Sequence, residues 1–140
     1  MPSIISSKVA EAVLRKLLLR EGYKLSKPRV NGETGVDIIA KRKSEILYIE
    51  VISFKSSGPA RSKDFFQAFF RAISRLDKEG NICAIGLPER FRRGLPNRVK
   101  QYKEAWRRIG IAFPELEIWL IDVDEKTYKR TKWGAWIGEA

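Results

Sequence analysis

Asp37 and Glu50 stand in two apolar runs, Gly35-Val36-Asp37-Ile38-Ile39-Ala40 and Ile46-Leu47-Tyr48-Ile49-Glu50-Val51-Ile52, separated by the charged stretch Lys41-Arg42-Lys43-Ser44-Glu45. That pattern predicts a β-hairpin. If it is centred between Lys43 and Ser44, paired residue numbers sum to 87 and Asp37 falls opposite Glu50. Side chains alternate faces along a strand, so Asp37 shares a face with Ile39, and Glu50 with Tyr48 and Ile52. Two carboxylates would then lie about 5 Å apart on an apolar surface. Like charges so placed repel, and burial strengthens the repulsion. A divalent metal ion is the economical compensation. The bland alternative is a pair of exposed strand residues matched by Lys41 or Arg42.

The elements that must position this pair are legible from periodicity. The 140 residues, 44% hydrophobic, suit one domain with a real core, spanning residues 1–140. Apolar positions Val9, Ala10, Val13, Leu14, Leu17 and Leu18 predict a helix over residues 6–20, capped by Ser6 or Ser7 and ended by Gly22. Residues 23–30 read as a short extended piece that Pro28 confines to an edge. The turn-forming run Asn31-Gly32-Glu33-Thr34-Gly35 leads into the hairpin, and a polar break follows at residues 53–59. A second helix is expected over residues 62–76, apolar at Phe65, Phe66, Phe69, Ile73 and Leu76, polar along Lys63, Gln67, Arg71 and Ser74. A buried strand follows at 81–87. A third helix, 97–109, is striped by Leu95, Val99, Tyr102, Trp106 and Ile109. A strand at 116–123 and an extended piece at 128–136 end the chain, the latter offering an exposed surface from Trp133 to Ile137 that suits a homodimer. Trp106, Trp119, Trp133 and Trp136 read as core or interface residues. This order predicts one α/β sandwich with a mixed sheet.

Composition narrows the chemistry. Twenty-eight Lys and Arg against seventeen Asp and Glu give a net charge of +11, which attracts polyanions, nucleic acid first. Residues 89–108 alone hold eight basic side chains (Arg90, Arg92, Arg93, Arg98, Lys100, Lys103, Arg107 and Arg108) against two acids. Phosphate contact or a thermophile's ion-pair surface would account for them. There is no histidine, so histidine-metal sites and Ser-His or Cys-His nucleophile pairs are excluded. The single Cys83 cannot form an internal disulfide and reads as a buried small hydrophobe. No apolar stretch suits a membrane span or a secretory signal, so a cytoplasmic location is expected.

Over residues 6–87 the chain resembles the PD-(D/E)XK, or restriction endonuclease-like, nuclease superfamily, nearest to archaeal Holliday junction resolvases and Mrr-like enzymes. The likeness rests on a first helix with a glutamate (Glu11), Gly35-Val36-Asp37 on a strand, an acid on the partner strand (Glu50), and a helix bearing a glutamine (Gln67). It implies an α/β/α sandwich with a central mixed sheet flanked by helices. It also implies an endonuclease that hydrolyses DNA phosphodiester bonds with Mg²⁺ or Mn²⁺ held by Asp37 and Glu50. Glu11 would assist as a ligand, or else pair with Lys8 and Arg15 on its own helix. Gln67 and Lys63 would orient water or phosphate. Arg71 and the basic segment would grip duplex or branched DNA.

The chain departs from the superfamily at one place. The lysine usual two residues after the second acid is here Ile52, which cannot orient water or stabilise transition-state charge. Lys55 is the nearest substitute, but its strand parity is wrong unless the backbone bends near Ser53-Phe54. Lys63 is the other candidate. The rivals to catalysis are a nuclease-fold protein that binds nucleic acid without cutting it, and a basic subunit of a ribonucleoprotein.

Overall fold

The computed structural model describes residues 4–30, 36–77 and 81–139. Gly35 and its preceding loop lie outside the described residues. Helix α1 (Ser7–Arg20) starts where the Ser6 hydroxyl accepts the Val9 N–H and ends before Gly22, whose φ of +92° is a conformation glycine adopts without strain. Strand β1 (Lys24–Leu25) is shorter than expected and sits at the sheet edge. The hairpin follows as β2 (Ile38–Arg42) and β3 (Glu45–Val51). Its register runs from Ile38 opposite Ile49 to Arg42 opposite Glu45, around a tight turn at Lys43-Ser44. The expected pairing is therefore the observed one.

Helix α2 (Gly58–Ile73) begins a turn earlier than the periodicity suggested, because the Ser57 hydroxyl caps it and Pro59 fits its first turn. Strand β4 (Asn81–Pro88) runs into a 3₁₀ turn at Glu89–Arg93. The single third helix is replaced by two, α3 (Leu95–Gln101) and α4 (Lys103–Ala112), broken at Tyr102, whose φ/ψ of −119/38° is not helical. Strand β5 (Leu116–Asp122) and β6 (Thr127–Lys132) form a second hairpin.

These strands make a six-stranded sheet in the order β1-β2-β3-β4-β5-β6, with β3, β4 and β5 parallel and the remaining pairs antiparallel. Leu47, Ile49 and Val51 pack with Leu14 and Leu18 of α1 on one face. Cys83, Ile85, Leu116 and Ile118 pack with Phe65, Val99 and Trp106 on the other. The protein is thus an α/β/α sandwich with a mixed central sheet.

The C-terminal segment does not stay extended. After Lys132 it coils into a 3₁₀ stretch, Trp133–Glu139, which folds Trp133 and Trp136 into the core at 2% and 4% exposure. Trp133 and Trp106 stack at 3.8 Å, and each indole N–H donates to the other's backbone carbonyl, at 2.8 and 3.0 Å. This reciprocity satisfies both polar tips inside an apolar layer. The exposed Trp133 to Ile137 surface expected for a homodimer is therefore corrected.

Candidate active site

Strand pleating decides where the two acids go. Ile38 and Ala40 of β2 and Ile49 and Val51 of β3 all face α1. Asp37 and Glu50 therefore face α2, and both line one cleft of about 160 Å³. Asp37 sits at the bend just before β2. One of its oxygens accepts the Val51 N–H at 2.8 Å, and the other is ion-paired with Arg29. Neither Lys41 nor Arg42 is its partner.

The far wall comes from α2, where Asp64, Gln67, Ala68 and Arg71 recur at the three- and four-residue spacing of one helical face. Lys63 lies about 100° further round the helix and does not line the cleft. Lys55 does, and it pairs with Asp64 at 2.9 Å. The parity problem is solved by the backbone: β3 ends at Val51, and Phe54 leaves the sheet to form an antiparallel bridge with Ile5. Ser53 Oγ accepts the Ser7 N–H at 2.9 Å, fixing this departure to the start of α1. Ile52, at the usual lysine position, packs against the apolar cluster on the α2 side.

Glu50 is 3% exposed. Burial pushes its pKa up, the nearby Asp37 charge adds to this, and Arg75, Arg29 and Arg71 only partly oppose it. Arg75 approaches one Glu50 oxygen, Oε2, at 3.6 Å, too far for a hydrogen bond, and that oxygen is buried without a hydrogen-bond partner. Sequence reasoning passed over Arg29, Asp64 and Arg75. Asp64 was findable by its helical spacing with Gln67 and Arg71; Arg29 reaches Asp37 across a loop and left no periodic signal.

Glu11 is not brought into the cleft. Its carboxylate accepts from Arg15 at 2.7 Å, and the same guanidinium donates to the carbonyls of Ser26 (2.6 Å) and Asp37 (2.9 Å). Glu11 thus orients an arginine that clamps α1 to the strand bearing Asp37, a positional role in place of the expected ligation. Among the described residues no group of three or more acidic or thiol side chains converges to hold a metal.

The basic segment divides. Arg90, Arg92 and Arg93 line a second cavity. Arg98 is half-buried, donates to Ser62 Oγ at 2.7 Å and lies over the Phe65 and Phe66 rings. Burial, aided by Arg61, lowers its pKa. It ties α3 to α2, in place of the expected phosphate contact. Lys100 and Lys103 are exposed, whereas Arg107 and Arg108 are engaged by Glu104 at 2.7 and 2.8 Å.

No protein-family model matches the chain, and no curated protein matches it significantly. Solved structures share its fold, two of them as follows. An XisH family protein from Nostoc punctiforme is 20% identical, with a TM-score of 0.51 over 86% of this chain and 96% of its own. An FdxN element excision controlling factor protein from Anabaena variabilis is 19% identical, with a TM-score of 0.52 over 87% and 96%. At these identities the likeness is one of fold.

Proposed function

We propose that the protein is a metal-dependent endonuclease acting on DNA phosphodiester bonds. The observation that carries this is the pairing of Asp37 with buried Glu50 in one cleft, where a Glu50 oxygen lacks a hydrogen-bond partner. A buried, only partly compensated carboxylate beside a second one is a costly arrangement that a hard cation relieves. Asp37 and Glu50 are the residues that would hold Mg²⁺ or Mn²⁺. The chemistry such an ion supplies when bound is polarisation of a phosphoryl oxygen and activation of water.

The remaining roles belong to the chain's own side chains. The Lys55 ammonium, steadied by Asp64, lines the same cleft and would supply the positive charge that Ile52 cannot. It stabilises negative charge as the phosphate is attacked. Gln67 offers an amide to water or phosphate, and exposed Arg71 offers a guanidinium to a non-bridging oxygen. Lys100 and Lys103 add backbone affinity for duplex or branched DNA. A cytoplasmic setting suits Cys83, buried and free, whose thiol burial pushes up to about 12.

One observation favours a second reading, a nucleic-acid-binding protein without cleavage. Arg29 already neutralises Asp37, and Arg75 and Arg71 flank Glu50, so the acids could serve as a permanent ion-pair network. Plasmid nicking separates the two. With Mg²⁺ or Mn²⁺ the wild type should nick, and Asp37→Ala should abolish nicking. Equal cleavage by both proteins would mark a contaminant, and cleavage by neither would leave the binding protein.

A further inference from the structure

The parallel strands β3, β4 and β5 end along one edge of the sheet, the edge where parallel sheets characteristically receive ligands. The carboxylate cleft lies at the end of β3. A second cavity, of about 490 Å³, lies at the ends of β4 and β5, where β4 enters the Glu89–Arg93 turn and β5 finishes at Asp122. The two share a wall. Along residues 53–56, Ser53 and Lys55 face the cleft while Phe54 and Ser56 face the cavity, the alternation of an extended chain. The two spaces therefore lie on opposite sides of a single extended segment.

The lining of the second cavity is specific in kind. Arg61, Arg90 and Arg93 bring guanidinium groups to it. Those of Arg90 and Arg93 make no ion pair or hydrogen bond among the described residues. The Arg61 guanidinium lies 4.7 Å over the Phe54 ring and donates to the Lys55 carbonyl at 2.7 Å, so it is held in place. Two of the three acids that line it are engaged, and the third, Asp124, is exposed. Glu89 accepts from Arg92 at 2.5 Å, and Asp122 accepts the N–H groups of Asp124 and Glu125 at 3.1 and 3.0 Å within its own turn. Unmatched guanidinium groups suit a phosphate, and a planar guanidinium on an aromatic ring suits a flat base. The volume falls within the range of about 300–1,000 Å³ that takes a small organic ligand, far less than a duplex occupies.

We propose that this cavity holds a single unstacked nucleotide of the strand engaged in the carboxylate cleft, its phosphate on Arg90 and Arg93 and its base against Arg61 and Phe54. The ligand chemistry is a nucleoside monophosphate. Only the choice of a strand over a free nucleotide as its source rests on the nuclease reading. It implies a substrate with an end, a branch or an extruded base near the cut, since a nucleotide inside an intact stack cannot enter.

The test uses the isotopically labelled full chain in EDTA, titrated by NMR with dAMP, deoxyadenosine or inorganic phosphate at matched ionic strength. dAMP should shift the amides of residues 54–56 and 89–93, and phosphate or nucleoside alone should bind at least about tenfold more weakly. Arg90→Ala/Arg93→Ala should weaken dAMP by about tenfold or more, those side chains being exposed and outside the core. Phosphate matching dAMP, or an unchanged double variant, would overturn the proposal. Displacement of a labelled single strand by dAMP supports the strand as source; binding at these residues without displacement overturns that part in favour of a free nucleotide. Because EDTA removes cleavage from the measurement, absent nicking with intact dAMP binding would sink the nuclease alone.

Discussion

Glu50 and Glu117 are both buried, at 3% and 4% exposure, and their surroundings give them opposite consequences. Glu50 has its pKa raised by burial and by Asp37. For Glu117, burial pushes up, but hydrogen bonds from Arg130, Trp119 and Lys132 outweigh it and hold the pKa below the usual range. The folded state therefore favours protonated Glu50. Its contribution to stability is full below the unfolded carboxylate pKa and is lost as pH rises through the raised folded value. Glu50→Gln should accordingly raise Tm by a few degrees at neutral pH in EDTA, the shift that about 1 kcal/mol produces, with the gap closing in acid. Glu117 contributes above the unfolded pKa and loses that contribution as pH falls through its depressed value. Glu117→Gln should cost about 2 kcal/mol at neutral pH, less than the loss of a fully enclosed pair because Lys132 remains exposed. Thermal melts from pH 3 to 8 read both; parallel pH curves for the two variants would contradict the assignment. On activity, Lys55→Ala should lower nicking by about 10²-fold while Lys63→Ala changes it little, which initial rates would show.

At the scale of elements, the hairpin was legible because a period of two and a charged turn leave one register that buries Ile38, Ala40, Leu47, Ile49 and Val51 on one face. That register set Asp37 beside Glu50, and from sequence alone the pair could be placed. Lys55 could be placed only conditionally, since its direction depends on the Ile5–Phe54 bridge, a contact between residues 49 positions apart that no local pattern announces. The helix break at Tyr102 was also hidden, because Leu95, Val99 and Trp106 keep a helical stripe on either side of it. The C-terminal piece was legible only in part: Thr127–Lys132 is the extended stretch expected there, whereas the chain from Trp133, with its indole and that of Trp136 buried, coils over α4. Trp133→Ala should cost about 3–5 kcal/mol in urea unfolding, and Trp133→Phe, which keeps a ring and loses the hydrogen bond to Trp106, about 1 kcal/mol plus the lost contact area. A Phe variant as unstable as the Ala variant would mean that the ring stack contributes nothing.

For the whole molecule, a net charge of +11 promised a polyanion partner but not where it would dock. Glu104 engages Arg107 and Arg108, and Arg98 is drawn into the packing of α2 on α3, leaving Lys100 and Lys103 exposed on that side. Lys100→Ala/Lys103→Ala should reduce the slope of log affinity for duplex DNA against log salt by about 2, one counterion per lost phosphate contact, while Arg107→Ala/Arg108→Ala should alter it less. Fluorescence anisotropy across a salt series measures both. The most direct check on the central claim is calorimetric titration of Mn²⁺ into the wild type, Asp37→Asn and Glu50→Gln, without DNA. Saturable binding by the wild type that either substitution removes is the predicted result; identical heats from all three proteins would contradict a metal site formed by this pair.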